Sequence, residues 1–263
     1  MTWLLDLDGV VWLSGHGIEG SAEAIERLRQ HGEDVVFFTN NSAPTVGEHV
    51  TKLNEAGVAA TAEQVLTSSQ AAARLLEPGS TAAVIGGPGV VEALAERGVQ
   101  VVAAAAGPDA VVVGRTSRLD YDELAAAATA IRAGARFVAT NDDATMPTPD
   151  GPVPGAGAVI AFLQVASGQA PAVAGKPNQA AAELVASRVG HVEVLVGDRP
   201  DTDGLFAAAI EARFALVLSG VTVAADLPVE PRPELIGPDL AAIVDQFLDP
   251  AGPKPRQSQA ARP

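Results

Sequence analysis

The stretch Trp3-Leu4-Leu5-Asp6-Leu7-Asp8-Gly9 decides how this chain is read. An apolar run this short, ending in two carboxylates and a glycine, is a buried strand that stops at a polar edge. Asp6 and Asp8 are two apart on an extended segment, so their side chains lean the same way. Carboxylates held that close need a shared proton or a cation. A hard divalent ion such as magnesium, which prefers oxygen ligands, suits the pair. An Asp pair at a strand end also serves as a turn or helix cap, so the rest of the chain has to decide between the two.

Working outward, apolar runs alternate with helical patterns, as in βα units that build a parallel sheet. A helix is expected from Ser21, read as its N-cap, to His31, before Gly32. Asp34 to Phe38 reads as a strand ending in Thr39-Asn40-Asn41-Ser42, and Thr45 with Glu48 as a capping box. Further strands are expected at Thr81–Ile85, Ala110–Val113, Arg136–Thr140, Glu193–Val196 and Phe214–Leu218. Asp120 and Glu123 read as a second capping box, and a helix spans Gly155 to Ser167. Glycine, proline and polar residues dominate from Asp249 onward, which reads as a disordered tail.

Asp6/Asp8, Thr39/Asn40 and Asp198 each follow the end of an apolar strand. In an open parallel sheet those ends share one edge, where ligands bind. Asp198 would add a third carboxylate and Asp203 would support it. Thr39 and Asn40 can donate to an anion, although alone they read as a turn. Lys176, in Gly175-Lys176-Pro177, would be a surface lysine on the simplest view; a proline at the first helical position would aim it instead.

Composition narrows the classes. The chain has 263 residues, 48% hydrophobic and 4% aromatic, enough for a core of small aliphatic side chains. A formal charge of −15 opposes nucleic acid and anionic lipid as partners. With no cysteine there is no disulfide, thiolate metal site or cysteine nucleophile. No cleavable signal or membrane-length apolar run is read, so a cytoplasmic protein is expected.

Four segments occur in order: Asp6-Leu7-Asp8-Gly9-Val10-Val11-Trp12, Phe38-Thr39-Asn40-Asn41-Ser42, Gly175-Lys176-Pro177 and Val196-Gly197-Asp198-Arg199-Pro200-Asp201-Thr202-Asp203. Together they resemble the haloacid dehalogenase superfamily, in its p-nitrophenyl phosphatase-like (NagD-like, subclass IIA) branch, over nearly the whole chain before the tail. The resemblance implies an α/β fold, a Rossmann-like parallel-sheet core with an inserted α/β C2-type cap. The core would be residues 1–78 and 175–248, the cap 79–174, and the tail 249–263. It implies a phosphoric monoester hydrolase: Asp6 forms an aspartyl-phosphate, and Asp8 acts as acid and then base. Magnesium would be held by Asp6, Asp8 (through its main-chain carbonyl), Asp198 and Asp203. Thr39, Asn40, Asn41 and Lys176 would bind the substrate's phosphoryl group. Thr140-Asn141-Asp142-Asp143 and Pro154-Gly155-Ala156-Gly157-Ala158 resemble cap segments, with a specificity loop from Ala144 to Val153 between them. That loop shows no basic or aromatic anchor, which favours a small polar leaving group. A homodimer through the cap is a further expectation. Gly204 departs from the branch's isoleucine, and Leu205 to Ala212 lacks its usual glycines.

Other readings compete less well. Gly86-Gly87-Pro88-Gly89 has the wrong spacing for a dinucleotide fingerprint, and Gly155-x-Gly157 is explained by close helix packing. His16, His31, His49 and His191 are scattered and read as surface residues. A non-enzymatic phospho-acceptor module would be about half this length, and a mutase's helical cap has no room between Gly9 and Asp34. A catalytically silent binding protein would have lost motif residues, and none is lost. Glycerol 3-phosphate, 2-phosphoglycolate, sugar phosphates, pyridoxal phosphate, nucleotides and p-nitrophenyl phosphate remain as substrates.

Overall fold

The computed structural model describes residues 1–13, 15–146 and 151–249. In chain order the first elements are β1 (Thr2–Leu5), β2 (Trp12–Leu13), β3 (His16–Gly17), α1 (Ser21–Gln30), β4 (Asp34–Thr39), α2 (Val46–Glu55), β5 (Val65–Thr67) and α3 (Ser68–Arg74). Then come β6 (Thr81–Ile85), α4 (Pro88–Glu96), β7 (Gln100–Val101), β8 (Ala110–Val113), α5 (Tyr121–Arg132) and β9 (Arg136–Ala139). They are followed by β10 (Thr145–Met146), β11 (Val153–Pro154), α6 (Ala156–Ser167) and β12 (Ala172–Val173). The last are α7 (Gln179–Arg188), β13 (Val194–Gly197), α8 (Leu205–Ala209), β14 (Arg213–Val217), β15 (Leu235–Gly237) and α9 (Leu240–Leu248).

Two parallel sheets result. One has six strands in the order β15-β14-β13-β1-β4-β5, the other five in the order β12-β9-β8-β6-β7. The five-stranded unit is inserted in sequence between β5 and β13, so the fold is the expected α/β core with an inserted α/β cap.

Both faces of each sheet are covered, which is why the strands read as continuous apolar runs. Trp3 and Leu5 of β1 pack on one face with α1, α2 and α9, while Leu4 points to the other. Ala83, Val111 and Val113 of the second sheet meet α5 and α6. Between the sheets, one cluster runs without a break from Leu4, Phe38 and Leu195 through α3, α7 and α4 to Val112 and Val138. The two units therefore share a core as well as a linker. Phe38 and Phe206 meet there edge to face at 5.5 Å, a geometry worth about 1 kcal/mol beyond their burial.

Local signals were read correctly in part. The Thr45–Glu48 capping box forms with both bonds, at 3.1 and 2.7 Å. Ser21 is not an N-cap: Gly20 holds that place in a left-handed conformation, and the Ser21 hydroxyl donates to Val10 O instead. Asp120 caps α5 from one side only, accepting from the N–H groups of Asp122 and Glu123. Pro177 does not open a helix; α7 begins at Gln179 after Asn178. The expected tail lies outside the described residues except for Asp249, and so does part of the expected specificity loop, residues 147–150.

The glycine at 204 has a packing reason. A Cβ there would stand 2.8 Å from Pro231 Cγ and 3.0 Å from Phe214 Cε1. Pro231 fills the space that a larger side chain would take.

Candidate active site

All eight residues singled out in the sequence line one cavity at the C-terminal edge of the six-stranded sheet: Asp6, Asp8, Thr39, Asn40, Asn41, Lys176, Asp198 and Asp203. Asp6 follows β1 directly, its N–H still bonded to Val196 O on β13. Lys176 is 2% exposed and spends its three protons on Asp6 Oδ1 at 2.8 Å, Asp203 Oδ1 at 2.6 Å and Phe38 O at 3.0 Å. Burial pulls the lysine's pKa down, but the Asp203 and Asp6 carboxylates outweigh it and hold it above the usual range. Lys176 stays charged.

Its aim comes from Asn40, not from a proline-started helix. The Asn40 side chain accepts from Lys176 N at 3.0 Å and donates to Lys176 O at 3.1 Å. The same Nδ2 reaches Asp143 Oδ2 at 3.1 Å. The Asn40 amide is thus a clamp on the lysine's main chain. Thr39 Oγ1 accepts from Asn41 N, which leaves its proton for an incoming acceptor.

Asp6, Asp198 and Asp203 offer carboxylate oxygens within 4.8 Å of one another. Burial pushes Asp6 well above the usual carboxylate range, and burial with the Asp203 charge takes Asp198 up to about 7. Ionised together, three carboxylates against one ammonium would leave two negative charges uncancelled in a buried place, the charge that a divalent cation removes. Glycines make the room. A Cβ at Gly220 would lie 1.9 Å from Asp198 Oδ2, and one at Gly197 would lie 2.3 Å from the Asp203 carboxylate. Oxygen-only donors, unbalanced charge and these cradles fit a hard cation such as magnesium.

Asp8 stands apart from that trio. Its Oδ1 accepts from Trp12 Nε1 at 3.1 Å, and burial raises its pKa against the pull of that bond and of nearby cations. A raised carboxyl is what a proton donor working near neutrality requires.

Of the residues that the second unit brings, sequence reading missed Arg115; Asn141 and Asp143 fall in an expected cap segment, and Thr145 and Met146 in the expected specificity loop. Arg115 after β8, Asn141 and Asp143 after β9, and Thr145 and Met146 of β10 all line the cavity, as does Arg199 after β13. Arg199 reaches Asp143 at 3.4 Å, so Asp143 joins the two units from both sides. The strand-end rule applied to β8 and β9 would have flagged them. His49 is a correction: it is 1% exposed, with Nε2 at 3.2 Å from Asn41 O. Its signal was the helical spacing Val46, His49, Leu53, all three buried on one stripe of α2.

A haloacid dehalogenase-like hydrolase family model matches residues 3–100, and a HAD-hydrolase-like model matches 173–243. The chain is 38% identical to a D-glycerol 3-phosphate phosphatase of Mycobacterium tuberculosis over 96% of this chain and 73% of that protein. It is 33% identical to a dihydroxyacetone phosphatase of Corynebacterium glutamicum over 96% and 94%. The structure of the Mycobacterium tuberculosis glycerol phosphate phosphatase with magnesium superposes with a TM-score of 0.85 at 38% identity, covering 92% of this chain and 75% of that one. NagD of E. coli K-12 gives 0.82 at 31% identity, covering 91% and 96%.

The chain belongs to the haloacid dehalogenase-like hydrolases. Within them it falls on the NagD-like, p-nitrophenyl phosphatase-like branch, among metal-dependent phosphatases.

Proposed function

We propose that this chain hydrolyses a small phosphomonoester by two successive displacements at Asp6. The observation that carries the reading is Asp6 itself, fixed by Lys176 beside two further carboxylates and facing Asp8 across the same cavity. An Asp6 oxygen attacks phosphorus, the bond to the leaving oxygen breaks, and Asp8 gives that oxygen its proton. Asp8, now a carboxylate, takes a proton from water; the water oxygen attacks phosphorus and frees Asp6 with inorganic phosphate. Dividing the displacement in this way lowers each barrier.

The Thr39 hydroxyl and Asn41 hold the phosphoryl oxygens and Lys176, its protons given to Asp6, Asp203 and Phe38 O, offers them its charge, while Asn40 keeps Lys176 in line. Asp6, the Asp8 carbonyl and Asp198, with Asp203 in support, would hold a magnesium ion, which would supply charge to neutralise the phosphoryl group. The cap, with limits at residues 79 and 174, excludes water and reads the leaving group through Thr145 and Met146. Asn141, Asp143 and Thr145 beside Met146 give the cavity a mostly polar lining on the cap side, which supports a small polar leaving group such as glycerol or dihydroxyacetone. The relatives' names point the same way.

Exposed Phe162 and Val165 on α6 support a homodimer through the cap. The charge of −15 supports a cytoplasmic enzyme with no nucleic acid or membrane partner; no helix among the described residues is long and apolar enough to cross a membrane.

The test is phosphate release from glycerol 3-phosphate, dihydroxyacetone phosphate, sugar phosphates and p-nitrophenyl phosphate with magnesium, for wild type and Asp6→Asn. Wild type turns over at least one, and the variant loses about a thousandfold or more. An equally active Asp6→Asn chain would end this reading.

A further inference from the structure

Three cations line the active-site cavity, and two are committed to carboxylates: Lys176 to Asp6 and Asp203, Arg199 to Asp143 and Asp201. The third, Arg115, is different. Its main chain is fastened at both ends, N–H to Ser42 Oγ at 2.9 Å and carbonyl accepting from Gly87 N at 3.0 Å. Ser42 is fully buried and follows the Thr39-Asn40-Asn41 loop, so the arginine's backbone is registered to the phosphate-binding residues. The adjoining Gly114 approaches Ser42 so closely that a Cβ there would stand 2.7 Å from its hydroxyl. Yet the Arg115 guanidinium, half-buried, has no hydrogen-bond or ion-pair partner among the described residues.

An arginine with a fixed backbone and a free head, in a chain of charge −15, is placed for an anion that arrives with the substrate. The transferring phosphoryl group is met from the sheet side by the Thr39 hydroxyl and the charge of Lys176, whereas Arg115 comes from the inserted unit, on the side of the rest of the substrate. Its partner is therefore on the leaving group. A planar carboxylate matches the guanidinium fork with two parallel bonds.

We propose that Arg115 forms a carboxylate subsite that selects phosphorylated short hydroxy acids over neutral phosphate esters. The proposal rests on the phosphatase reading and deepens it by naming the leaving-group class. The expected specificity loop, Ala144 to Val153, brings no basic anchor; the anchor lies outside it, after β8.

The test measures kcat/KM with magnesium on a matched pair, 2-phosphoglycolate and ethyl phosphate, for the full wild-type chain, Arg115→Met and Arg115→Lys. Wild type prefers the acid. In Arg115→Met the acid-to-neutral ratio falls roughly ten- to hundredfold, mostly through KM, and Arg115→Lys recovers part of it. Thermal unfolding of the variants checks that the fold is retained. A ratio unchanged in Arg115→Met, or a wild type that prefers ethyl phosphate, overturns the subsite while leaving the phosphatase reading intact. Hydrolysis of neither these two nor any other phosphomonoester by wild type removes the phosphatase reading, and the subsite with it.

Discussion

Replacing His49 by glutamine should remove a pH-dependent part of this protein's stability. The ring is buried in α2 behind the Asn41 loop. Asn41 O can only accept, so Nε2 carries the proton; Nδ1 has no partner among the described residues. A second proton would sit on Nδ1 with nothing to receive it. Burial, helped by the nearby Lys52 charge, brings the pKa from 6.5 to about 4 against the opposing pull of the Asn41 bond and Glu48. Because the folded value lies below the unfolded one, the unfolded chain binds more protons between those limits. The contribution is whole above the unfolded value and is lost as pH falls towards the folded one. At about 1.4 kcal/mol per pH unit the full loss is about 3 kcal/mol, with about 2 kcal/mol already gone near pH 5. Urea unfolding, followed by tryptophan fluorescence near pH 7.5 and near pH 5, measures it. Asp8 and Asp198, raised in the folded state, shift stability in the opposite sense in both proteins, so the informative quantity is wild type minus His49→Gln. That difference should change by about 2 kcal/mol between the two conditions. If the variant loses as much stability on acidification as wild type, the buried neutral histidine is not the cause.

Three more perturbations follow from the geometry. Gly220→Ala puts a Cβ 1.9 Å from Asp198 Oδ2. It should weaken magnesium about ten- to hundredfold, read as a higher concentration for half-maximal phosphate release; an unchanged requirement contradicts the assignment of Asp198. Lys176→Met strips Asp6 and Asp203 of their shared partner. It should cost about 3–5 kcal/mol with EDTA and less with magnesium, so a stability gap indifferent to the metal counts against the shared-charge argument. Gly204→Ile meets Pro231 and Phe214 and should cost about 1–3 kcal/mol. Adding Pro231→Ala should return part of the lost melting temperature, and no recovery would mean that Pro231 is not the obstacle.

The strands were readable because each is buried on two faces, which leaves an uninterrupted apolar run in the sequence. Those of the two parallel sheets that escaped, β5, β7, β12 and β15, are two or three residues long and owe their order to neighbours already in the sheet. Asp6, Asp8, Thr39, Asn40 and Asp198 were readable for a related reason: they follow strands of the same sheet, so one edge gathers them, whereas Lys176 follows β12 of the other sheet and Asp203 lies in the helical turn after β13. Arg115 and Asp143 end strands of the other sheet. The strand-end rule marks both, but that they enter the cavity of the first sheet depends on the way the two sheets face each other, which no local pattern encodes. His49 was misjudged because its residue type was given more weight than its place on a helical stripe. Ser21 and Pro177 were assigned the usual office of their residue type, while tertiary partners (Val10 O for Ser21) or the next residues along took that place.

The return from the inserted unit to the core leaves no spare chain. Ala174 N bonds Ala139 O and Gly175 N bonds Thr140 O, continuing the pairing of β12 with β9. The next residue is Lys176, whose N–H is already held by Asn40 on the other side. One peptide thus passes from the pairing of one sheet to the working cation of the other. A single inserted residue would add about 3.8 Å of chain, more than the reach of the hydrogen bonds fixing the ammonium. This joint tolerates no change of length. Grafting a foreign cap onto this core therefore succeeds or fails at Gly175.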